Sequence, residues 1–236
     1  MDLRGKNVLV TGAGRGLGEA LARSLAARGA RLLLVSRTPT DVERVARSIR
    51  EQGGVAHALS ADIGDKDAIY PLAGAATALL GVFDLVVHNA STLGPTPLAL
   101  LLDTTCEDFE RALAVNVVGP FRLTKVLAGA MALRQHGTIV FVSSDASVNA
   151  YLTWGAYGVS KAAADHLARS LAVELESAGV RVLTVDPGEM DTRMHADAVP
   201  EADRKALRRP TAVAESLAKL LETIDFTSGA RVEVVT

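Results

Sequence analysis

The sequence predicts an α/β fold, a doubly wound parallel β-sheet of about seven strands with helices on both faces. Three observations carry this. Short apolar runs alternate with longer segments of helical periodicity along the chain. Apolar residues make up 49% of the sequence, as a sheet covered on both faces requires. The first apolar run, Val8-Leu9-Val10, leads directly into a glycine-rich stretch and then into a helical pattern.

Strands are expected at 7–11, 31–36, 55–60, 85–89, 138–143, 180–186 and 231–235, where Val, Leu and Ile runs are bounded by Gly or polar residues. Helices are expected at 16–28, 41–52, 66–80, 107–134, 155–178 and 212–224, with Gly29, Gly53 and Gly179 placed as C-caps. Strict alternation implies right-handed crossovers and one domain over 1–236. Only 188–210 interrupts it. That segment is charged, contains His195 and ends in Arg208-Arg209-Pro210. Its length suits a lid, or else a surface excursion carrying a short helix.

Composition narrows the partners. A formal net charge of −2 gives no basic footprint for nucleic acid or an anionic membrane. Five histidines are scattered and Cys106 is the single cysteine, so neither a metal site nor an internal disulfide is expected. The N-terminal residues lack an apolar signal core, and no apolar run approaches the roughly 20 residues of a membrane span. A cytoplasmic protein is the expectation.

The glycine-rich stretch reads Thr11-Gly12-Ala13-Gly14-Arg15-Gly16-Leu17-Gly18. In a strand–loop–helix setting, glycines let the backbone approach a pyrophosphate, and the helix N-terminus offers N–H donors to it. The context is that of a Rossmann-type dinucleotide site, with the spacing Thr-Gly-x-x-x-Gly-x-Gly. The second strand ends in Ser36-Arg37, where an NAD site commonly carries a carboxylate for the ribose 2′-hydroxyl. Arginine pairs with a 2′-phosphate, and Arg15 can reach the same group, so NADP(H) is expected over NAD(H).

Tyr157 and Lys161 stand four residues apart on an expected helix and therefore share a face. The ammonium favours the phenolate, so the tyrosine pKa is expected to fall from about 10 and to suit proton transfer. Asn116 lies inside an expected helix, four residues before Pro120, whose missing N–H frees the carbonyl at 116 for a water or ligand.

With these residues in view, the chain resembles the short-chain dehydrogenase/reductase family, in its compact single-domain form, over 6–235. The resemblance implies that Thr11, Gly12, Gly16 and Gly18 form the cofactor loop, and that Asp62, followed by Ile63, contacts the adenine. It implies that Asn89-Ala90 ends the fourth strand beside the cofactor, and that Pro187-Gly188, Met190 and Thr192 line its nicotinamide side. It also implies a tetrad of Asn116, Ser144, Tyr157 and Lys161; Ser144 is preferred to Ser143 because it lies thirteen residues before Tyr157. The implied reaction is hydride transfer between nicotinamide and a carbonyl carbon. Tyr157 gives the proton, Ser144 bonds the carbonyl oxygen, Lys161 also holds the nicotinamide ribose, and Asn116 binds a relay water.

Two departures from the family pattern stand out. Ser91 replaces the glycine expected after Asn89-Ala90, and the end of the chain lacks an Asp-Gly-Gly that often serves tetramer contacts. Expected substrate walls are Leu93, Tyr151, Trp154 and Glu189, together with Ser144. A small-molecule carbonyl or alcohol is the expected substrate. Self-association is expected through the 155–178 helix, as a dimer or a tetramer. A non-catalytic NADPH-binding sensor is the alternative; it would keep the glycine loop without needing the tetrad.

Overall fold

The computed structural model describes residues 1–223 and 225–234. Seven parallel strands form one sheet: β1 (Asn7–Thr11), β2 (Arg31–Ser36), β3 (Val55–Ser60), β4 (Leu85–His88), β5 (Gly137–Val142), β6 (Val180–Asp186) and β7 (Arg231–Glu233). Their order across the sheet is β3-β2-β1-β4-β5-β6-β7. The order reverses between β1 and β4, the switch point at which doubly wound sheets bind ligands. In register, Val8 faces Leu32 on one side and Leu85 on the other.

The helices are α1 (Gly16–Ala27), α2 (Pro39–Glu51), α3 (Lys66–Leu80), α4 (Cys106–Leu113), α5 (Gly119–Leu133), α6 (Gly155–Leu175), α7 (Arg193–Ala198) and α8 (Pro210–Thr223). Alternation along the strands divides the core. Val8, Val10, Leu32 and Leu34 point to one face, where Leu21 of α1, Val45 of α2 and Leu217 of α8 pack. Leu9, Leu33 and Val86 point to the other, against Ile69 of α3, Leu123 of α5 and Ala168 of α6. Each fully buried leucine contributes roughly 1.5–3 kcal/mol.

Three expectations are corrected. The 107–134 helix is broken: a π-helical turn at Ala114–Val118 joins α4 to α5, and the Gly119 N–H reaches back to the Ala114 carbonyl. Pro120 has no N–H for the Asn116 carbonyl, and the helix widens by one residue there. Helix α2 starts at Pro39 rather than 41, because proline suits the first helical turn. Helix α6 ends at Leu175, and 176–178 tighten into a 3-10 turn before Gly179. The expected helix end at 224 and strand end at 235, with residue 236, lie outside the described residues.

The 188–210 segment contains α7 and is closed at its base by a parallel bridge between Met190 and Arg208. Arg204 pairs with Asp191 at 2.7 Å within it.

His88, at the end of β4, is 3% exposed; its Nε2 meets Thr124 Oγ1 at 2.8 Å and its ring lies 4.8 Å from that of Phe141. Burial pushes its pKa from 6.5 down to about 3. Between those values the unfolded chain binds a proton that the folded chain refuses, so stability is lost as pH falls from 6.5 toward 3. Denaturant unfolding of wild type and His88→Leu should therefore converge on acidification, then cross, by about 1.4 kcal/mol per pH unit in this window. A stability difference that does not vary with pH would contradict a neutral, buried His88.

Candidate active site

A cleft of about 410 Å³ opens at the carboxyl ends of the strands across the switch point. One wall is the loop between β1 and α1. Gly12 has φ 68°, and a Cβ on it would lie 2.8 Å from Asn89 Nδ2 and from the Ala90 Cα. A Cβ on Gly18 would run into the Gly12 carbonyl, so α1 can approach its own loop only through glycine. Thr11 Oγ1 accepts the N–H groups of Asn89 and Ala90 at 3.1 and 3.0 Å, and Asn89 Nδ2 donates to the carbonyls of Thr11 and Gly12. Thr11 and Gly18 thus shape the loop from behind, whereas Gly12, Gly14, Arg15, Gly16 and Leu17 line the cleft.

The loop has a brace that sequence reasoning missed. Arg44 of α2 donates to the Gly14 carbonyl at 3.1 Å and pairs with Glu19 of α1 at 2.7 Å. The hydrogen bond from Arg44 is the main cause holding the Glu19 carboxyl below its usual range. The residues are 25 apart, and no local pattern announces the contact.

At one end of the cleft stand Ser36, Arg37, Arg15, Asp62 and Ile63. Ser36 Oγ is turned to the Thr38 carbonyl at 3.1 Å. The side chains of Arg15 and Arg37 are exposed and have no acceptor among the described residues. Thr38 and Asp41 also line this end, so one carboxylate accompanies the two guanidiniums. Asp62 accepts the Gly64 N–H at 2.9 Å through Oδ1, and its Oδ2 pairs with Arg111 of α4.

At the other end, Tyr157 and Lys161 project from α6 and are 7% and 4% exposed. The Lys161 ammonium lies 5.6 Å from the Tyr157 ring centroid and donates to the Val142 carbonyl at 2.8 Å. Burial lowers the Lys161 pKa to about 8 against the pull of Asp165 and Asp186. The expected fall of the Tyr157 pKa is not found. Burial raises it well above 10, and the hydroxyls of Ser144 and Ser91 offset this only in part. Desolvation of the phenolate outweighs the neighbouring ammonium.

Ser144 follows β5 and lines the cleft; its Oγ donates to Asp145 at 3.0 Å and accepts the Ala146 N–H at 3.2 Å. Ser143 Oγ instead turns to Ser147 at 3.2 Å. Asn116 is 4% exposed and sits behind the wall. Its Nδ2 donates to the Thr92 carbonyl and to Ser160 Oγ, and its Oδ1 accepts from Thr92 N–H and Ser91 Oγ. Asn116 thereby ties the loop after β4 to α6. Ser91, the departure from the family pattern, donates to Asn116 and stands beside the Tyr157 phenol.

Leu93, Trp154 and Glu189 line the cleft, and Trp154 packs edge-on to Tyr157 at 5.7 Å. Tyr151 does not line it; its hydroxyl is held by Asp145 at 2.6 Å. Asn89, Ala90, Pro187, Gly188, Met190 and Thr192 are all on the wall. Arg193, Met194 and His195, from the 188–210 segment expected to cover the site, line it as well, and Asp145 joins them unforeseen. No helix among the described residues is long and apolar enough to cross a membrane, and no cluster of metal-ligating side chains occurs among them.

The model of the short chain dehydrogenase family matches residues 6–203. The 7alpha-hydroxysteroid dehydrogenase of Escherichia coli (strain K12) is 33% identical over 209 residues, 88% of this chain and 80% of that protein. The 2,3-dihydro-2,3-dihydroxybenzoate dehydrogenase of Bacillus subtilis (strain 168) is 34% identical over 192 residues, 81% of this chain and 72% of that one. Among solved structures, a metagenomic short-chain oxidoreductase in complex with NADP superposes with a TM-score of 0.84 at 30% identity, over 100% of both chains. The chain belongs to the short-chain dehydrogenase family, oxidoreductases that use a nicotinamide cofactor.

Proposed function

We propose that this protein is an NADP(H)-dependent oxidoreductase that interconverts a carbonyl and an alcohol on a small molecule. The observation that carries the reading is the convergence of Ser144, Tyr157 and Lys161 in one cleft with the glycine loop. Sites that keep only a cofactor-binding role have no need of that convergence, which disfavours a sensor.

The residues present fit a dinucleotide. The loop offers close backbone approach at Gly12 and Gly16, and two exposed guanidiniums stand at the far end. Arg15 and Arg37 would hold a 2′-phosphate, with Asp41 reducing but not cancelling their charge. The NADP-bound metagenomic relative supports the same choice. Bound there, the nicotinamide supplies the hydride.

Tyr157 holds its proton at neutral pH and delivers it to the substrate oxygen. Ser144 orients that oxygen once its hydroxyl swings from Asp145. Lys161 carries the compensating charge beside the phenol, and the Asn116 region anchors the proton path at the π turn. Leu93, Trp154 and the α7 segment, with Glu189, form the substrate walls, and 188–210 acts as their lid. The two curated relatives bear the names of unlike substrates, so the substrate is not carried over from either. The lone exposed Cys106 suits a reducing compartment, and we read the protein as one domain working in the cytoplasm. A panel of ketones, keto-esters, quinones and sugars, followed by NADPH absorbance, tests the activity. Cofactor binding with no turnover across the panel would favour the sensor reading.

Self-association is part of the proposal. On α6, Leu167, Leu171 and Leu175 pack partly against the core, and Val159 and Val173 remain 44% and 76% exposed. On α5, Leu133 is 90% exposed. Light scattering at micromolar concentration should give at least twice the 24.7 kDa of one chain. A monomer mass would contradict it.

A further inference from the structure

We propose that Arg231 is a positioning residue that sets the nicotinamide end of the cleft by clamping its two walls together from behind. This rests on reading the cleft as a dinucleotide site.

Arg231 lies on β7, opposite Thr184 of β6, and does not line the cleft. Its Nη2 donates to the Ser144 carbonyl at 3.1 Å and to Asp186 Oδ2 at 2.7 Å. The other oxygen of Asp186 accepts the Gly188 N–H at 2.9 Å, which shapes the turn through Pro187. One guanidinium nitrogen thus joins the loop after β5, which carries Ser144, to the turn after β6, which carries Pro187 and Gly188. Ser144, Pro187 and Gly188 all face the cleft.

The clamp is anchored by charge. The side chains of Asp165 and Asp186 are 6% and 5% exposed, and Arg231 Nε stands 3.4 Å from Asp165 Oδ2. Ser147 donates to the same Asp165 oxygen at 2.7 Å. Arg231 Nη1 also lies 3.9 Å from Glu233, which is exposed. Two buried carboxylates facing the Lys161 ammonium alone would be costly, so the guanidinium is fixed where it stands. The planar fork sets Nε toward Asp165 while Nη2 holds the Ser144 carbonyl and Asp186, a spread that a single ammonium covers less well. The adenosine end of the cleft lies on β1, β2 and α2, and Arg231 touches none of these.

The test is binding to the full chain, read by isothermal titration calorimetry. The ligands are NADPH with its half 2′,5′-ADP, and NADH with its half ADP. The variants are Arg231→Met and Arg231→Lys. Arg231→Met should weaken the preferred reduced dinucleotide about tenfold or more, the worth of one charge-assisted hydrogen bond, and leave the adenosine half within about twofold. Arg231→Lys should show the same selective loss, smaller. It keeps a cation between the buried aspartates, so it carries the test if Arg231→Met does not fold. Equal weakening of whole and half ligand, or no weakening, would overturn the clamp. Wild type that binds neither dinucleotide would overturn the cofactor reading itself, and the clamp with it.

Discussion

Tyr157→Phe should retain NADPH binding and lose turnover by about 10² to 10⁴-fold, the range contributed by a positioned general acid. The substitution keeps the ring, its edge-on contact with Trp154 and the Lys161 ammonium above it, and removes only the proton donor. The group removed is protonated throughout the physiological range, because burial raises its pKa. In the proposed reaction it is therefore the acid of carbonyl reduction. For alcohol oxidation the same hydroxyl must first ionise, which the site disfavours until Lys161, Ser144 and Ser91 all bear on it. Single-turnover NADPH oxidation by wild type and variant makes the comparison; equal rates would remove Tyr157 as the proton donor.

The second large effect is at the other end of the cleft. Wild type should bind NADPH at least about tenfold more tightly than NADH, because one charge-assisted hydrogen bond contributes about 1.5–3 kcal/mol. Ser36→Asp with Arg37→Gln should erase or reverse that preference. The new carboxylate would stand at the end of β2 next to Gly14, whose Cα already packs so closely that a Cβ would lie 2.9 Å from Ser36 Oγ. It would join Asp41 and leave Arg15 as the single cation lining that end among the described residues. Fluorescence titration of both cofactors reads the switch. A wild type without preference would mean that Arg15 and Arg37 are solvated surface charges.

These predictions draw on features that were legible to different degrees in the sequence. The strands could be read because a doubly covered sheet imposes short apolar runs, and Val8-Leu9-Val10 divides its side chains between two cores as alternation demands. The glycine loop could be read because its requirement is local: a Cβ at 12 or 18 collides within the loop or with the residues it touches. The break in helix 107–134 is not fixed by the sequence, because Pro120 allows several outcomes and the slip to a π turn depends on packing. A Cβ on Gly119 would meet the Ile63 carbonyl, which brings the turn against the loop after β3.

The electrostatics were the least legible. Tyr-x-x-x-Lys fixes which groups are neighbours but not how deeply they are buried, and burial decided the direction of the Tyr157 shift. The partners of Asp62, Gly14 and Ser144, namely Arg111, Arg44 and Arg231, lie 49, 30 and 87 residues away. Contacts at such separations follow from the topology, which alternation predicts in outline but not in side-chain register.

Hydride transfer within the cleft is tested most directly by following an isotope from cofactor to product. With NADPH deuterated at C4 of the nicotinamide and a carbonyl substrate from the panel, deuterium should appear on the carbinol carbon of the product. It should do so in wild type and be lost with turnover in Tyr157→Phe. Product formed without deuterium at that carbon, from either C4 face of the cofactor, would contradict the account.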